Sequence, residues 1–297
     1  MELHQIAYVL AVADSGSFTA AAARLHVSQS GVSTQVRKLE RELGVSLFDR
    51  SARRIAVTAE GERLLPALRA AAAAVDEVHT RASDLRGLIV GSLRIGTVTA
   101  LTWPAFFDAV AAIHAAHPGV DLRLIESTST DLVHRVRTGE LDVAVAAWSV
   151  EAPVGLESVP VVDDALVAVV APGHPWAARG VVGVGELARA DLISFPGGTG
   201  ARAAMDQMFG RAGLEAVPRW EAASPMSLTA LAARAVGVAV ASETTMADAD
   251  GLVVLRIDDP EARSRLGTVW RSEASSAAKA FLAELLGADR RGTGGRR

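Results

Sequence analysis

The chain is 297 residues long, 50% hydrophobic, and carries a formal net charge of −4; it is long enough for two or three domains with real cores and has no general affinity for anions. It contains no cysteine, which excludes disulfides, thiolate zinc sites and thiol redox sensing. Met1 leads straight into an amphipathic pattern with no basic leader or cleavage site, and later apolar runs are broken by charges short of membrane-spanning length, so the expectation is a soluble cytoplasmic protein with no membrane partner.

Leu3, Ile6, Ala7, Leu10 and Ala13 share one face of a first helix, which Gly16 ends. A second helix follows in "SFTAAAARLHV", with Ser17 as its N-cap and Phe18, Ala21, Ala22 and Leu25 toward a core. After the turn "HVS", Ser28 can cap a third helix, on which Val32, Val36, Leu39 and Leu43 form one narrow apolar stripe. Ser30, Thr34, Arg37 and Arg41 lie opposite, with Gln29 and Ser33 flanking near the start. Short hydrogen-bonding side chains therefore precede arginines along the exposed face. A recognition helix needs that order, because its first residues must reach base edges while longer cationic chains take phosphates.

Val45, Leu47 and Phe48 return to the core, Arg50, Arg53 and Arg54 cluster around a turn, and "RIAVT" reads as a short strand. A basic hairpin at this place is a wing, and wings touch backbone or minor groove. From Arg24 to Arg54 seven Arg or Lys stand against three acids, a local excess of four positive charges. A solvated face partnered by Glu40 and Glu42 accounts for any one of these arginines. The three helices, the Ser-Gln start and the basic wing together point to DNA.

The segment "GSFTAAAARLHVSQSGVSTQVRKLERELGVSLFDRSARRIAVTAEG" resembles the winged helix-turn-helix domain of LysR-type transcriptional regulators. The matching residues are Ser17-Phe18, Ala20 to Ala23, Ser28-Gln29, Ser33, Leu39-Glu40, Leu43-Gly44, Leu47-Phe48-Asp49-Arg50 and Thr58-Ala59-Glu60-Gly61. The resemblance implies a helix-turn-helix over 18–37 and DNA contacts from Ser17, Phe18, Ser28, Gln29, Ser30, Ser33, Thr34, Arg37, Arg50, Arg53 and Arg54. One position departs from the pattern: where the family often has Arg after the mid-helix Ser, this chain has Thr34, so that arginine's contact does not carry over.

Leu64, Leu68, Ala71, Val75, Val78, Ala82 and Leu85 then follow a four-three repeat, a heptad seam on a long helix. Periodicity alone fits equally a helix lying on its own domain. A helix leading out of a DNA-binding domain is well placed to dimerise, and it resembles the family's linker helix; two recognition helices would then face successive major grooves.

From Ser92 strands and helices alternate, which predicts a parallel sheet with right-handed crossovers. "SLRIGTV", "VDLRLIES", "LDVAVAAW", "ALVAVVAP", "DLISF", "VPRWEAA", "VGVAVAS", "LVVLRI" and "GTVWR" read as strands, and "SSAAKAFLAELLG" as a closing helix. This part resembles the LysR-type effector domain, itself similar to periplasmic binding proteins, through "GSLRIGTV", "GELDVAVAAW", "VAPGHPWA" and the Gly-Thr-Gly before a helix. Two lobes imply a cleft between them, where ligands bind. Strand ends and helix starts place Thr97, Thr99, Ala100, Thr128, Ser129, Trp148, Phe195, Thr199 and Ser224 there, with Val98, Ser127 and Met226 alongside. Free N–H groups at helix starts suit a carboxylate or other anionic effector. Taken singly, each Ser or Thr also reads as a plain N-cap.

The histidines are scattered without metal spacing, "GTGAR" lacks the lysine of a phosphate loop, and no Gly-x-Ser-x-Gly occurs. His174 reads as structural, and Asp163-Asp164 and Asp258-Asp259 read as loop acids. No enzyme, cofactor or metal is expected.

The expected architecture is an α+β two-part chain. A winged helix-turn-helix spans 1–58, a linker and dimerisation helix 59–88, an α/β periplasmic-binding-protein-like effector domain of two lobes 89–290, and a disordered tail 291–297. Lobe I takes about 91–161 and 266–290, and lobe II about 162–265. The expected function is sequence-specific DNA-binding transcriptional regulation, modulated by a small-molecule effector held between the lobes. Partners are an operator in double-stranded DNA, a second copy or three more in a homodimer or homotetramer, and RNA polymerase if the protein activates. The alternative is a solute-binding protein without a regulatory role.

Overall fold

The computed structural model describes residues 1–50, 55–84, 89–247 and 249–292. They fall into two compact units, an N-terminal one that includes the long helix and a C-terminal one that begins with the first long strand.

In the first unit, α1 (Leu3–Ser15) ends on Gly16 at φ +61°, α2 (Phe18–Arg24) starts from Ser17, and α3 (Gln29–Leu43) starts from Ser28. Each cap is local chemistry: Ser17 Oγ accepts from Ala20 N and Ser28 Oγ from Gly31 N, satisfying donors that a helix start leaves open. Val9, Val12, Ala21, Val32, Val36, Leu39 and Leu47 are wholly buried in one core. The stripe on α3 stops one turn short of expectation, because Leu43 is 37% exposed. Buried Gln5 ties α1 to α3 by donating to Gln35 Oε1 at 3.0 Å. β1 (Phe48–Asp49) and β2 (Ala56–Val57) pair antiparallel as the base of the wing.

α4 (Ala59–Asp84) is anchored by Thr58. Its Oγ1 accepts from Gly61 N at 2.9 Å and donates to Ser46 O at 2.6 Å. Gly61 packs so close to β1 that a Cβ there would lie 2.5 Å from Leu47 O. The Thr-x-x-Gly spacing thus seats the long helix on the wing. Leu64, Leu65, Leu68, Ala71 and Ala72 pack on the core of their own domain, whereas Val78 further out is 66% exposed. Leu85, the last of the heptad positions, lies outside the described residues.

The second unit is built on β3 (Gly91–Val98), β4 (Val120–Ser127), β5 (Val143–Trp148), β6 (Glu157–Val170), β7 (Val181–Val182), β8 (Leu192–Ser194), β9 (Trp220–Glu221), β10 (Val238–Ser242), β11 (Val253–Ile257) and β12 (Arg263–Trp270). Its helices are α5 (Pro104–Ala116), α6 (Ser129–Arg137), α7 (Val184–Leu187), α8 (Gly200–Arg211), α9 (Pro225–Ala233) and α10 (Ser276–Gly292). The main strand path is β4-β3-β5-β12-β6-β10-β8-β9, with β11 also on β6. β3, β4 and β5 are parallel, but β12 runs antiparallel to β5 and β6, and β10 and β11 run antiparallel to β6. The expected all-parallel sheet is therefore a mixed one, because β6 and β12 carry the chain between the lobes instead of returning over a helix.

β6 serves both lobes. Its first half pairs with β12 in lobe I and its second half with β10 and β11 in lobe II. The strand starts eight residues before "ALVAVVAP", so Asp163 and Asp164 sit in a strand and not in a loop. Each lobe's sheet is covered on both faces, which is why β5 and β10 read as unbroken apolar runs. In lobe I, Phe106 of α5 and Phe281 of α10 meet edge to face with centroids 6.0 Å apart, both fully buried; burial of each is worth roughly 1.5–3 kcal/mol. "VPRWEAA" is reduced to the two-residue β9. α10 continues through Gly292, past the expected start of the tail, and 293–297 lie outside the described residues.

Candidate nucleic-acid interface and effector cavity

On α3, the cap at Ser28 fixes which side meets solvent. Gln29, Ser30, Thr34, Arg37, Lys38 and Arg41 are exposed, while Val32, Val36 and Leu39 are buried. Arg37, Lys38 and Arg41 have no acidic partner among the described residues. Arg37 is held along the helix: its Nη2 donates to Ser33 Oγ at 2.9 Å and its Nε to Ser33 O at 3.3 Å. The result is a row of short polar side chains followed by three cations, raised on a rigid helix.

Five of the candidate DNA residues are engaged otherwise or lie outside the described residues. Phe18 is 7% exposed and packs edge to face on Phe48, so it belongs to the core. Ser33 is 7% exposed, with its hydroxyl taken by Arg37, so it positions that side chain and does not itself face outward. Arg50 donates to Glu40 Oε2 at 2.9 Å and stacks over Phe18 at 5.0 Å, and Glu40 Oε1 accepts from Leu47 N and Phe48 N. Arg50 therefore braces the wing on α3. Arg53 and Arg54 lie outside the described residues. Arg24 pairs with Asp14 at 3.5 Å, so the local positive excess narrows to the α3 face.

Between the lobes of the second unit lies a cavity of about 470 Å³, within the usual size range for small-molecule sites. Thr99, Ala100, Thr128, Ser129, Phe195 and Thr199 line it, as do Val98, Ser127 and Met226. Ala100 holds the left-handed conformation at φ +58°, which turns the chain sharply at the cavity wall. Gly200 lets α8 approach β5: a Cβ there would come within 2.4 Å of Ala147 Cβ. Across the rim, Thr130 N and Oγ1 both donate to Gly198 O, joining lobe I to lobe II.

Three expected residues are not among the lining. Thr97 is 1% exposed within β3 and donates to Val98 O. Trp148 turns away into lobe I, where its indole fills the space above Gly267; a Cβ on Gly267 would lie 2.5 Å from its Cη2. Ser224 caps α9 by accepting from Ser227 N at 3.2 Å. His174 is structural in geometry: its Nδ1 accepts from Trp176 N, and burial pushes its pKa down.

The cavity floor was not legible as a site. Val162 and Asp164 on β6 face Leu266 and Ser264 on β12, in register as direct cross-strand partners. Period-two alternation sends these four into the cavity and sends Asp163 the other way, where Arg263 and Arg265 donate to it. The hydrogen bond from Arg263, with help from Arg265, holds the Asp163 carboxyl below the usual carboxylate range. Alternation could have separated Asp163 from Asp164 had the strand been recognised. The partnering of β6 with β12, a hundred residues on, leaves no local signal.

Among the described residues, the lining holds no Lys, Arg or His, and its ionisable side chain is Asp164. Among the helix starts, α6 is engaged, since Thr130 N donates to Gly198 O and Asp131 N to Thr128 Oγ1. α9 is capped by Ser224, and α8 has no side-chain cap.

Two family models cover the chain. Residues 3–62 match the bacterial regulatory helix-turn-helix protein of the lysR family, and residues 86–290 match the LysR substrate binding domain. The chain belongs to the LysR family. It is a DNA-binding transcriptional regulator with an effector-binding domain. Among curated LysR relatives, the DNA-binding transcriptional dual regulator OxyR of Escherichia coli K12 is 29% identical, over 91% of this chain and 90% of that protein. The hydrogen peroxide-inducible genes activator of Pectobacterium carotovorum is 28% identical over the same shares. Among solved structures, a full-length OxyR variant from Pseudomonas aeruginosa has a TM-score of 0.67 at 23% identity, covering 98% of this chain and 95% of that one. Full-length CbnR in complex with its target DNA has a TM-score of 0.61 at 23% identity, covering 98% and 99%. At these identities the structures establish the shared fold. No single helix among the described residues is long and apolar enough to cross a membrane.

Proposed function

We propose that the exposed face of α3 enters the major groove of an operator, and that a small molecule in the interlobe cavity alters how the regulator sits on that DNA. Gln29, Ser30 and Thr34 take base edges, and Arg37, Lys38 and Arg41 take phosphates. Arg53 and Arg54 remain candidates for backbone contact from the wing. The observation that carries this reading is the α3 surface itself, where capped short polar residues and three cations with no acidic partner among the described residues lie on one face while the opposite face is buried. CbnR, which shares the fold, has been solved on its target DNA.

The outer part of α4, with Val78 exposed, supports a helix-to-helix dimer, alone or doubled into a tetramer. The protein acts in the cytoplasm, meets RNA polymerase if it activates, and carries out no catalysis. Footprinting on the DNA upstream of its own gene tests the whole. The expected result is protected half-sites about one helical turn apart, with binding that falls steeply with salt. Salt-insensitive binding without a footprint would refute it. A metabolite that raises the melting temperature should also change the footprint.

A further inference from the structure

The cavity floor carries a chemical preference of its own. Asp164 is 8% exposed and lines the cavity. Its Oδ2 accepts one hydrogen bond, from Thr244 N at 2.6 Å, and no cationic side chain pairs with it among the described residues. Directly across the strand pair, Ser264 is 6% exposed and lines the same cavity, with no hydrogen-bond partner for its hydroxyl among the described residues. Cross-strand partners hold their Cβ atoms about 5 Å apart, so one small donor group can reach both. A carboxylate without a counter-charge among the described residues and a hydroxyl, both lining the cavity, are placed to accept from a donor group that enters it.

The opposing influence is the start of α8, which lacks a side-chain cap. A helix start carries about half a positive charge, whereas Asp164 offers a full negative one. With no Lys, Arg or His among the described lining residues, an anion would be desolvated beside a carboxylate. Val162, Leu266 and Phe195 supply apolar wall around the polar floor.

We propose that the effector is an amine-bearing molecule with an apolar body, its ammonium group donating to Asp164 and Ser264. This rests on the reading of the cavity as the effector site, and it replaces the anion that the helix starts alone suggested. Binding to the full chain can be measured by calorimetry with three probes of matched shape: 2-phenylethylamine, 2-phenylethanol and 3-phenylpropionate. Proteins compared are the wild type, Asp164→Asn, which keeps an acceptor for Thr244 N, and Ala223→Trp, which fills the cavity from its wall. The expected result is an amine bound about ten- to a hundredfold more tightly than the carboxylate, with that preference lost in Asp164→Asn and all binding lost in Ala223→Trp. If the carboxylate binds as tightly as the amine, or Asp164→Asn leaves the preference intact, while Ala223→Trp abolishes binding, the charge assignment falls and the cavity stands. If no probe binds the wild type, or Ala223→Trp leaves binding unchanged, the cavity reading falls with it.

Discussion

Arg37 reaches back one helical turn to Ser33, donating to its hydroxyl at 2.9 Å and to its carbonyl at 3.3 Å. A long cation on an exposed helix face is thereby held in one direction before any DNA arrives. Ordering a free arginine costs up to about 2 kcal/mol of rotamer entropy, part of which this pair removes in advance. Arg37→Ala should weaken operator binding at least tenfold and lower the slope of log affinity against log salt by about one. Ser33→Ala should weaken binding by a smaller factor with the salt slope unchanged, since the charge remains. Fluorescence anisotropy across a salt series separates the two, and equal slopes in all three proteins would remove Arg37 from the phosphate contacts.

Glu40 holds the wing. Its carboxylate accepts from Leu47 N, Phe48 N and Arg50, and its side chain is 12% exposed. Glu40→Ala strands two partly buried N–H groups and should cost about 1–3 kcal/mol. Glu40→Gln keeps an acceptor for the backbone and should cost less. Circular dichroism melts of the full chain would show the order wild type, Gln, Ala.

Gly200→Ala should lower stability by about 1–3 kcal/mol through overpacking, because the new Cβ would come within 2.8 Å of the Ala147 backbone carbon. The helix must shift, and the cavity wall shifts with it. Denaturant titration would read the first effect and loss of ligand-induced stabilisation the second. A variant with unchanged stability would show that α8 is free to slide.

Asp163 provides a pH signature. Its pKa is depressed, chiefly by the hydrogen bond from Arg263, so its contribution is present above the unfolded value and lost as pH falls through the folded one. The side chains are well exposed, with Asp163 at 43% and Arg263 at 40%, so the whole contribution should stay below about 1 kcal/mol. The melting temperatures of wild type and Asp163→Asn should differ slightly at neutral pH and converge in acid. A gap that persists in acid would mean that the ion pairs are not its source.

Relatives of this chain are named for induction by hydrogen peroxide. This sequence has no cysteine, so no sulfenate or disulfide can form in it. Operator binding should be the same before and after micromolar peroxide, and the same with a thiol reductant. A reversible, reductant-sensitive change in the mobility-shift assay would contradict this.

The elements themselves were legible because each carries a local mark. Ser17, Ser28 and Thr58 cap helices, Gly16 and Gly44 end them, and Val32, Val36 and Leu39 repeat at helical spacing. What escaped depends on partners distant in sequence. Phe18 reads as core from its helical spacing and as a contact residue from the resemblance, and its packing on Phe48 decides for the core. Trp148 ends a strand, as cleft residues do, but Gly267 gives its ring a place inside. Asp163 and Asp164 read as a polar loop because "VPVVDD" lacks clean alternation, and their opposite destinations follow from a register with β12 that no local pattern encodes.

Thr130 grips Gly198 O with two donors beside the wall that Thr128 and Thr199 form. On the far side the lobes are joined by β6 and by the return into β12, where Leu166 N donates to Ala262 O. The cleft is thus hinged along one edge and latched on the other. A molecule too large for the remaining gap passes only while the latch is broken, and a backbone carbonyl cannot be removed by mutation. A ligand held there would leave at the rate at which those two contacts open, while its affinity would be set by the floor, so substitutions at Thr130 and at Asp164 would alter different quantities.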